Sequence, residues 1–348
     1  MSTPVDSRAF RAWFGRSRVV DRRGRPRVVY HGTTHPFTVF DPDRANIEND
    51  WGKAIYFTSD RRDASINYAG IGPDLKQRIE GLAEQLDMER AGGIRIALAG
   101  DLHEESVRKA TERLAGTAPV IIPCYLSLQN PVIIGGPHET ILDYEYGPTE
   151  DDIQHFMPLA REDDPDASEE EVRQKAWDMA VENNYESERG TLARFFENLA
   201  RVASNYENTD LGQIEELKGD FYGHEHVPAS KLREGLKKCE GLAYATDEES
   251  NLASHEIMRK AFERTGFDGV IDYTARQRFG LRESQDVWTG RRKKYGMHGM
   301  YPGTVHYAAF RPEQVKSIWN RGTWDPRDPD IRRNPGPAYA EISGKYTR

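Results

Sequence analysis

Three short segments, far apart in the chain, carry the residue types that could do chemistry. They are Tyr30-His31-Gly32-Thr33, then Gly52 to Ser59 leading into Ala64 to Ala69, and finally His306 to Ile318. Each joins a short β-like apolar run to a polar ring or an acid, so they can form three walls of one cleft. His31 stands at the end of an apolar run just before Gly32, where backbone groups are open to a ligand. One imidazole nitrogen can donate to a ligand hydroxyl while the other is held by the protein; alternatively, the ring closes a local hydrogen-bond network. Tyr56, within Ile55-Tyr56-Phe57, is either ordinary core or a planar aromatic wall. In the second case Tyr68 on the next helix supplies the opposite wall of a slot for a flat ring.

The elements that must position these groups are legible from periodicity. Ser7 to Phe14 fits a short amphipathic helix carrying Phe10, Trp13 and Phe14. Arg16 to Arg27 is basic and turn-rich, with a tight connection at Asp21 to Gly24. Val28 to His31 reads as a strand ended by Gly32, and Ile55 to Thr58 as a buried strand. Ser59 or Asp60 can cap the helix that bears Ala64, Tyr68 and Ala69. Leu75 to Arg90 and Leu102 to Leu114 are expected as helices, and Pro119 to Leu128 and Val132 to Ile134 as strands. The stretch after Tyr144 is acidic and helical, with a capping box at Ser168 and Glu171. Further helices are expected over Pro228 to Lys238 and Asn251 to Thr265. Phe267 to Asp272 returns to β structure with Gly269 at the bend, and His306 to Phe310 is the last core strand. Gly290 to Gly303, with its basic run and glycines, reads as a loop. The pattern predicts an α+β fold with four parts: 7–144 as the first half of the core, 145–250 as an acidic helical insertion, 251–322 as the second half, and 323–348 as a polar tail.

Composition narrows the function classes. With 57 acidic and 48 basic residues in 348, the net charge of −9 argues against a mainly electrostatic nucleic-acid binder. Cys124 and Cys239 are too few for a disulfide framework and form no CxxC pair, which fits a cytoplasmic setting. Met1 to Phe14 lacks the pattern of a signal peptide, and no run approaches eighteen apolar residues, so no membrane association is expected. His224-Glu225-His226 lacks the spacing of a helical metal site, and no metal is expected. Neither GxxxxGK[ST] nor an early GxGxxG is present, which disfavours P-loop hydrolases and Rossmann oxidoreductases.

As an ordered set, the three segments make the chain resemble the ADP-ribosyltransferases of the His-Tyr-Glu group. The likeness is to the domain found in polyvalent phage and mobile-element proteins, over Phe10 to about Leu142 and again from Ser254 to Trp319. Tyr125 to Pro131 and Phe267 to Ile271 also resemble that domain's intervening strands. The resemblance implies a split, strongly curved mixed β core with a large helical insertion, NAD⁺ bound in the cleft as a substrate, and a bacteriophage or toxin-like setting. It places Tyr30, His31, Gly32 and Thr33 on the dinucleotide, with His31 at a ribose hydroxyl and the Gly32 backbone at the carboxamide. Tyr56 would stack on nicotinamide and Tyr68 would complete the slot. The glycosidic bond would break as nicotinamide leaves, exposing an oxocarbenium-like carbon to an acceptor. No catalytic metal is required, because the leaving group is already cationic and the protein has only to orient the dinucleotide and stabilise moving charge.

The third segment departs from that family, which commonly places Glu where this chain has His306. Three explanations stand. His306 itself orients the ribose or takes a proton from the nucleophile; Glu283, Asp286 or Glu313 supplies the carboxylate; or the domain binds NAD⁺ or ADP-ribosylated material with little turnover. Gln314 and Lys316 are expected to shape the edge of the third segment. Arg291, Arg292, Lys293 and Lys294 precede it, where related enzymes recognise the acceptor; the run either attracts a protein or nucleic-acid acceptor or is a solvated loop. The reading is therefore a mono-ADP-ribosyltransferase, against an NAD⁺ glycohydrolase or a weakened NAD⁺/ADP-ribose-binding domain.

Overall fold

The computed structural model describes residues 4–70, 72–90, 100–115, 119–183, 185, 187–280, 282–285, 292–295, 300–320, 324–325 and 327–332. In chain order the strands are β1 (Val29–Thr33), β2 (Ile55–Thr58), β3 (Val120–Leu126), β4 (Val132–Ile134), β5 (Ile141–Asp143), β6 (Glu145–Gly147), β7 (Ser187–Arg189), β8 (His226–Pro228), β9 (Gly269–Asp272), β10 (Arg282–Gln285), β11 (Arg292–Tyr295), β12 (His306–Ala309) and β13 (Val315–Ser317). The chain divides into two units, one of residues 1–138 and 267–348, the other of 139–266. The composition-based limits at 145 and 250 fall inside the second.

The first unit is built on an open, seven-stranded mixed sheet in the order β13-β3-β1-β2-β12-β9-β4. Only β4 and β9 among these neighbours run parallel. One face is apolar because alternate residues of each strand project to it: Val29, Phe57, Ile122, Leu126, Tyr307 and Val315 are buried in one cluster. Each such side chain contributes about 1.5–3 kcal/mol on leaving water. Helix α1 (Arg8–Phe14) is capped by the Ser7 hydroxyl and buries Phe10, Trp13 and Phe14. Those rings pack with Trp324, which anchors the described part of the C-terminal tail. The long helices are α3 (Pro73–Arg90) and α4 (Gly100–Leu114), preceded by the single turn α2 (Arg61–Asp63).

Three expectations need correction. Gly32 does not end β1: the strand continues to Thr33, which pairs with Val120. Gly269 does not serve a bend: it lies within β9, and a Cβ there would meet the Ala308 carbonyl at 2.6 Å. The basic stretch is not all loop, because β11 pairs antiparallel with β10, Glu283 opposite Lys294 and Gln285 opposite Arg292. Arg291 and Asp286 lie outside the described residues.

The second unit is mainly helical. Helices α5 (Glu150–Asp163) and α6 (Glu169–Glu182) both start with capping boxes, Thr149 with Asp152 and Ser168 with Glu171, so their first backbone donors are satisfied locally. Helix α7 (Gly190–Ala203) buries Phe195 against Phe262 of α11 (Ser254–Arg264), ring centroids 4.4 Å apart. Helices α8 (Leu211–Gly219), α9 (Ala229–Lys238) and α10 (Glu240–Ala243) complete it. Helix α12 (Ala275–Phe279) follows β9 in the first unit.

Candidate active site

The second segment enters its helix in an uncommon way. The Asp60 carboxylate caps α2 by accepting from Arg62 N at 2.8 Å, and the backbone then widens into a π-helical turn over Ala64–Tyr68, closed by Ala69 N donating to Ala64 O at 2.8 Å. Such turns insert one residue into a helix and frequently sit at functional sites. This turn lies directly on Gly32: a Cβ built there would stand 2.4 Å from Ala64 O and 2.6 Å from the Tyr68 Cβ. Glycine is required for this close approach of backbone to backbone, not for an unusual φ. Tyr30 packs on the same turn, against Ala64 and Ala69.

The third segment reaches the turn from the other side. Strand β12 pairs with β2 so that His306 stands opposite Thr58, and with β9 so that His306 stands opposite Asp272. Ser59 fixes the junction by hydrogen bonds in both directions with Val305, at 2.8 and 2.9 Å. The His306 ring lies 6.1 Å from Tyr68, edge to face, and stacks at 5.9 Å on Phe279. Its Nε2 is 2.9 Å from Oδ2 of Asp63. Asp63 is fully buried, and its Oδ1 accepts from Asn67 Nδ2 at 2.7 Å. Burial alone would raise the Asp63 carboxyl; the bonds from His306, Thr58 and Asn67 outweigh it and hold the group below the ordinary carboxylate range. An ionised carboxylate only accepts, so Nε2 of His306 carries the proton.

His31 occupies a different place. Its ring lies on the apolar face, 4.9 Å from Phe40 and 5.6 Å from Phe57, whereas Tyr30, Gly32 and His306 belong to the face that carries the π-helical turn. The Tyr56 carbonyl accepts from Nδ1 at 2.8 Å. That assigns the tautomer: Nδ1 carries the hydrogen and holds the Tyr56 carbonyl, so the ring closes a local hydrogen-bond network on the apolar face and does not stand as a wall of the cleft with Tyr68 and His306. Burial holds the imidazole pKa down to about 4. Between about 6.5 and 4 the unfolded ring binds a proton and the folded one does not, so stability is complete above this window and falls as the pH drops through it. The shift corresponds to about 3 kcal/mol, trimmed to about 2 by the ring's partial exposure. Urea titrations at pH 7 and 4.5 should show that loss, and a His31→Gln variant should lack most of it.

The other residues separate as follows. The Tyr56 hydroxyl accepts from Trp51 N at 2.9 Å and donates to Gly52 O at 2.8 Å, so it fixes the loop before β2 while its ring borders the turn-bearing face. Thr33 accepts from His35 N. Glu313 lies beyond the far end of β12 from His306, where its carbonyl accepts from Trp13 Nε1 at 3.1 Å. Gln314 and Lys316 tie the edge together: Gln314 donates to Asp268 O at 2.6 Å, and buried Lys316 donates to the carbonyls of Asp328 and Asp330. Sequence reasoning passed over Asp63, Asp272 and Arg278. Asp272 accepts from Thr274 and pairs with Arg278, which also reaches Asp50 and lies over the Phe279 ring at 4.4 Å. The signal for Asp63 was its i,i+4 spacing to Asn67, which puts the two on one helical face.

Among the described residues no cluster of His, Cys, Asp and Glu could hold a metal ion, and no helix is long and apolar enough to cross a membrane. A cavity of about 470 Å³ is lined by residues of the helical unit, Phe221, Lys231 and Glu234 among them, and by none of the three segments.

Residues 21–78 match the family described as ADP-Ribosyltransferase in polyvalent proteins. The matched stretch holds β1, β2, α2 and the π-helical turn, which supports a family-level relation over this segment and a transferase-type chemistry. Strand β12 lies outside it and joins it through pairing with β2. No curated protein and no solved structure matches the chain.

Proposed function

We propose that the protein is an NAD⁺-dependent mono-ADP-ribosyltransferase whose first unit is an ADP-ribosyltransferase-like split core with the 139–266 unit inserted in it. The observation that carries this reading is the meeting of three sequence-distant segments at one place: Gly32 against the Ala64–Tyr68 turn, and His306 beside Tyr68. In this reading the Gly32 backbone holds the carboxamide, Tyr56 and Tyr68 clasp the nicotinamide ring and Tyr30 borders the dinucleotide, while His31 and Thr33, which leave β1 on the opposite face, serve the fold and not the ligand. His306 stands where the ribosyl carbon becomes cationic. The bond from that carbon to the nicotinamide nitrogen breaks, its electron pair leaves with neutral nicotinamide, and a protein or nucleic-acid nucleophile attacks. The strand carrying Arg292, Lys293 and Lys294 would meet that acceptor, and a cytoplasmic setting suits it.

Mass spectrometry after incubation with NAD⁺ and a lysate or nucleic-acid pool tests the reading. ADP-ribose adducts with released nicotinamide are expected. Free ADP-ribose without adducts would convert the reading to a glycohydrolase, and bound NAD⁺ with neither product to a binding domain.

A further inference from the structure

An acid is absent from the sequence position where the resemblance calls for one, yet a buried carboxylate stands one hydrogen bond behind it. We infer that Asp63 and His306 act as a dyad in which Asp63 is the positioning residue and His306 the general base, so that the acceptor is a nucleophile that still carries its proton. Such nucleophiles are hydroxyls, amides, nucleobase nitrogens or water, as opposed to a carboxylate that is already ionised. The inference rests on the proposed transferase reading.

The geometry selects Asp63 over the other acids. Oδ2 of Asp63 is 2.9 Å from Nε2 of His306, and Oδ1 is taken by Asn67, so the carboxylate cannot swing away without losing a second bond. Asp272, directly opposite His306 across β9, is spent on Thr274 and Arg278. Glu313 is at the other end of β12, and Glu283 stands opposite Lys294 in the β10–β11 ladder. With Nε2–H fixed on Asp63, Nδ1 of the neutral ring has the lone pair. A fixed carboxylate of this kind does two things: it selects one tautomer, and it stabilises the imidazolium that forms when the ring takes a proton. Tyr68 and Phe279 flank the ring and limit its rotation.

The step balances. The ribosyl carbon–nitrogen bond of NAD⁺ breaks with its electron pair going to nicotinamide, which departs neutral. The acceptor atom forms the new bond to the ribosyl carbon, and its proton passes to Nδ1 of His306, giving an imidazolium paired with the Asp63 carboxylate. Release of that proton to solvent restores the dyad. The groups that would set the pH response face the ring from each neighbouring element: Asp63 from α2, Tyr68 from the π-helical turn, and Asp272 with Arg278 from β9 and α12.

The first test uses the wild-type protein. Nitrogen-15 NMR of labelled imidazoles, with the His306 signals assigned by their loss in His306→Gln, should show a pyrrole-type Nε2 and a pyridine-type Nδ1; the opposite tautomer would overturn the inference. In Asp63→Asn the tautomer should change, and the rate of nicotinamide release at saturating NAD⁺ should fall about a hundredfold or more, with KM for NAD⁺ within about twofold. The low-pH limb of the rate profile should also move. Unchanged kcat and pH profile in a folded Asp63→Asn protein would overturn it. If that variant does not fold, the wild-type tautomer decides alone. Absence of nicotinamide release from the wild type, with the expected tautomer present, would instead count against the transferase reading.

Discussion

Gly32→Ala is expected to cost at least about 3 kcal/mol of stability, at the severe end for adding one methyl to a packed interior. It should also abolish NAD⁺ binding in whatever folded protein remains. The added Cβ would lie 2.4 Å from the carbonyl of Ala64 and 2.7 Å from the amide of Ala69, both backbone atoms that cannot rotate aside. Relief requires the π-helical turn to lift from β1, and Tyr68 lifts with it. A control separates this from the general effect of losing a glycine. Gly81, inside α3, has open space where a Cβ would go, so Gly81→Ala should be neutral or stabilise by about 0.5–1 kcal/mol. Chemical denaturation of the two variants reads the contrast directly. Equal stability of Gly32→Ala and wild type would mean that the turn does not press on β1 as described.

Replacing His306 by alanine is expected to reduce nicotinamide release by about 10²- to 10⁴-fold, the range for loss of a positioned acid or base. Affinity for NAD⁺ should change little, because the contacts assigned to the ring and the carboxamide come from Gly32, Tyr56 and Tyr68. The substitution also strands the buried Asp63 carboxylate, at a cost of about 1–3 kcal/mol. His306→Gln separates the two effects, since its amide can still donate to Asp63 while it cannot take up a proton. Turnover should be as low in His306→Gln as in His306→Ala, with most of the stability restored. Normal turnover in either variant, with NAD⁺ still bound, would remove His306 from the chemistry.

How far the site was legible in the sequence depends on which physical effect wrote each part. Strand and helix positions followed from periodicity: the predicted strand at Val28 to His31 and the helices near 75–90 and 102–114 all form, displaced by one or two residues at their ends. Long-range packing was not legible. Gly32 reads as a strand terminator because glycine often ends regular structure, whereas its purpose is to let a π-helical turn from a later segment touch the sheet. The widened turn itself has no local signature, since Ala64 to Tyr68 is ordinary helical sequence. Alternation along β1 was available in the sequence, and with it the conclusion that Tyr30 and His31 leave the sheet on opposite faces. Only the position of the turn reveals which face matters to each. Asp63 stayed hidden because an acid in the first turn of a helix is commonplace at an exposed surface. Here Thr58, Asn67 and His306 surround it and allow the charge to be buried.

The central claim is that Gly32, Tyr68 and His306 form one surface that grips the oxidised dinucleotide. Calorimetry of NAD⁺ against wild type and Tyr68→Ala tests it most directly. The expected result is a saturable heat with the wild type and an affinity at least about tenfold weaker without the ring, a difference of about 1.4 kcal/mol. No heat with the wild type, or the same affinity in both proteins, would contradict it.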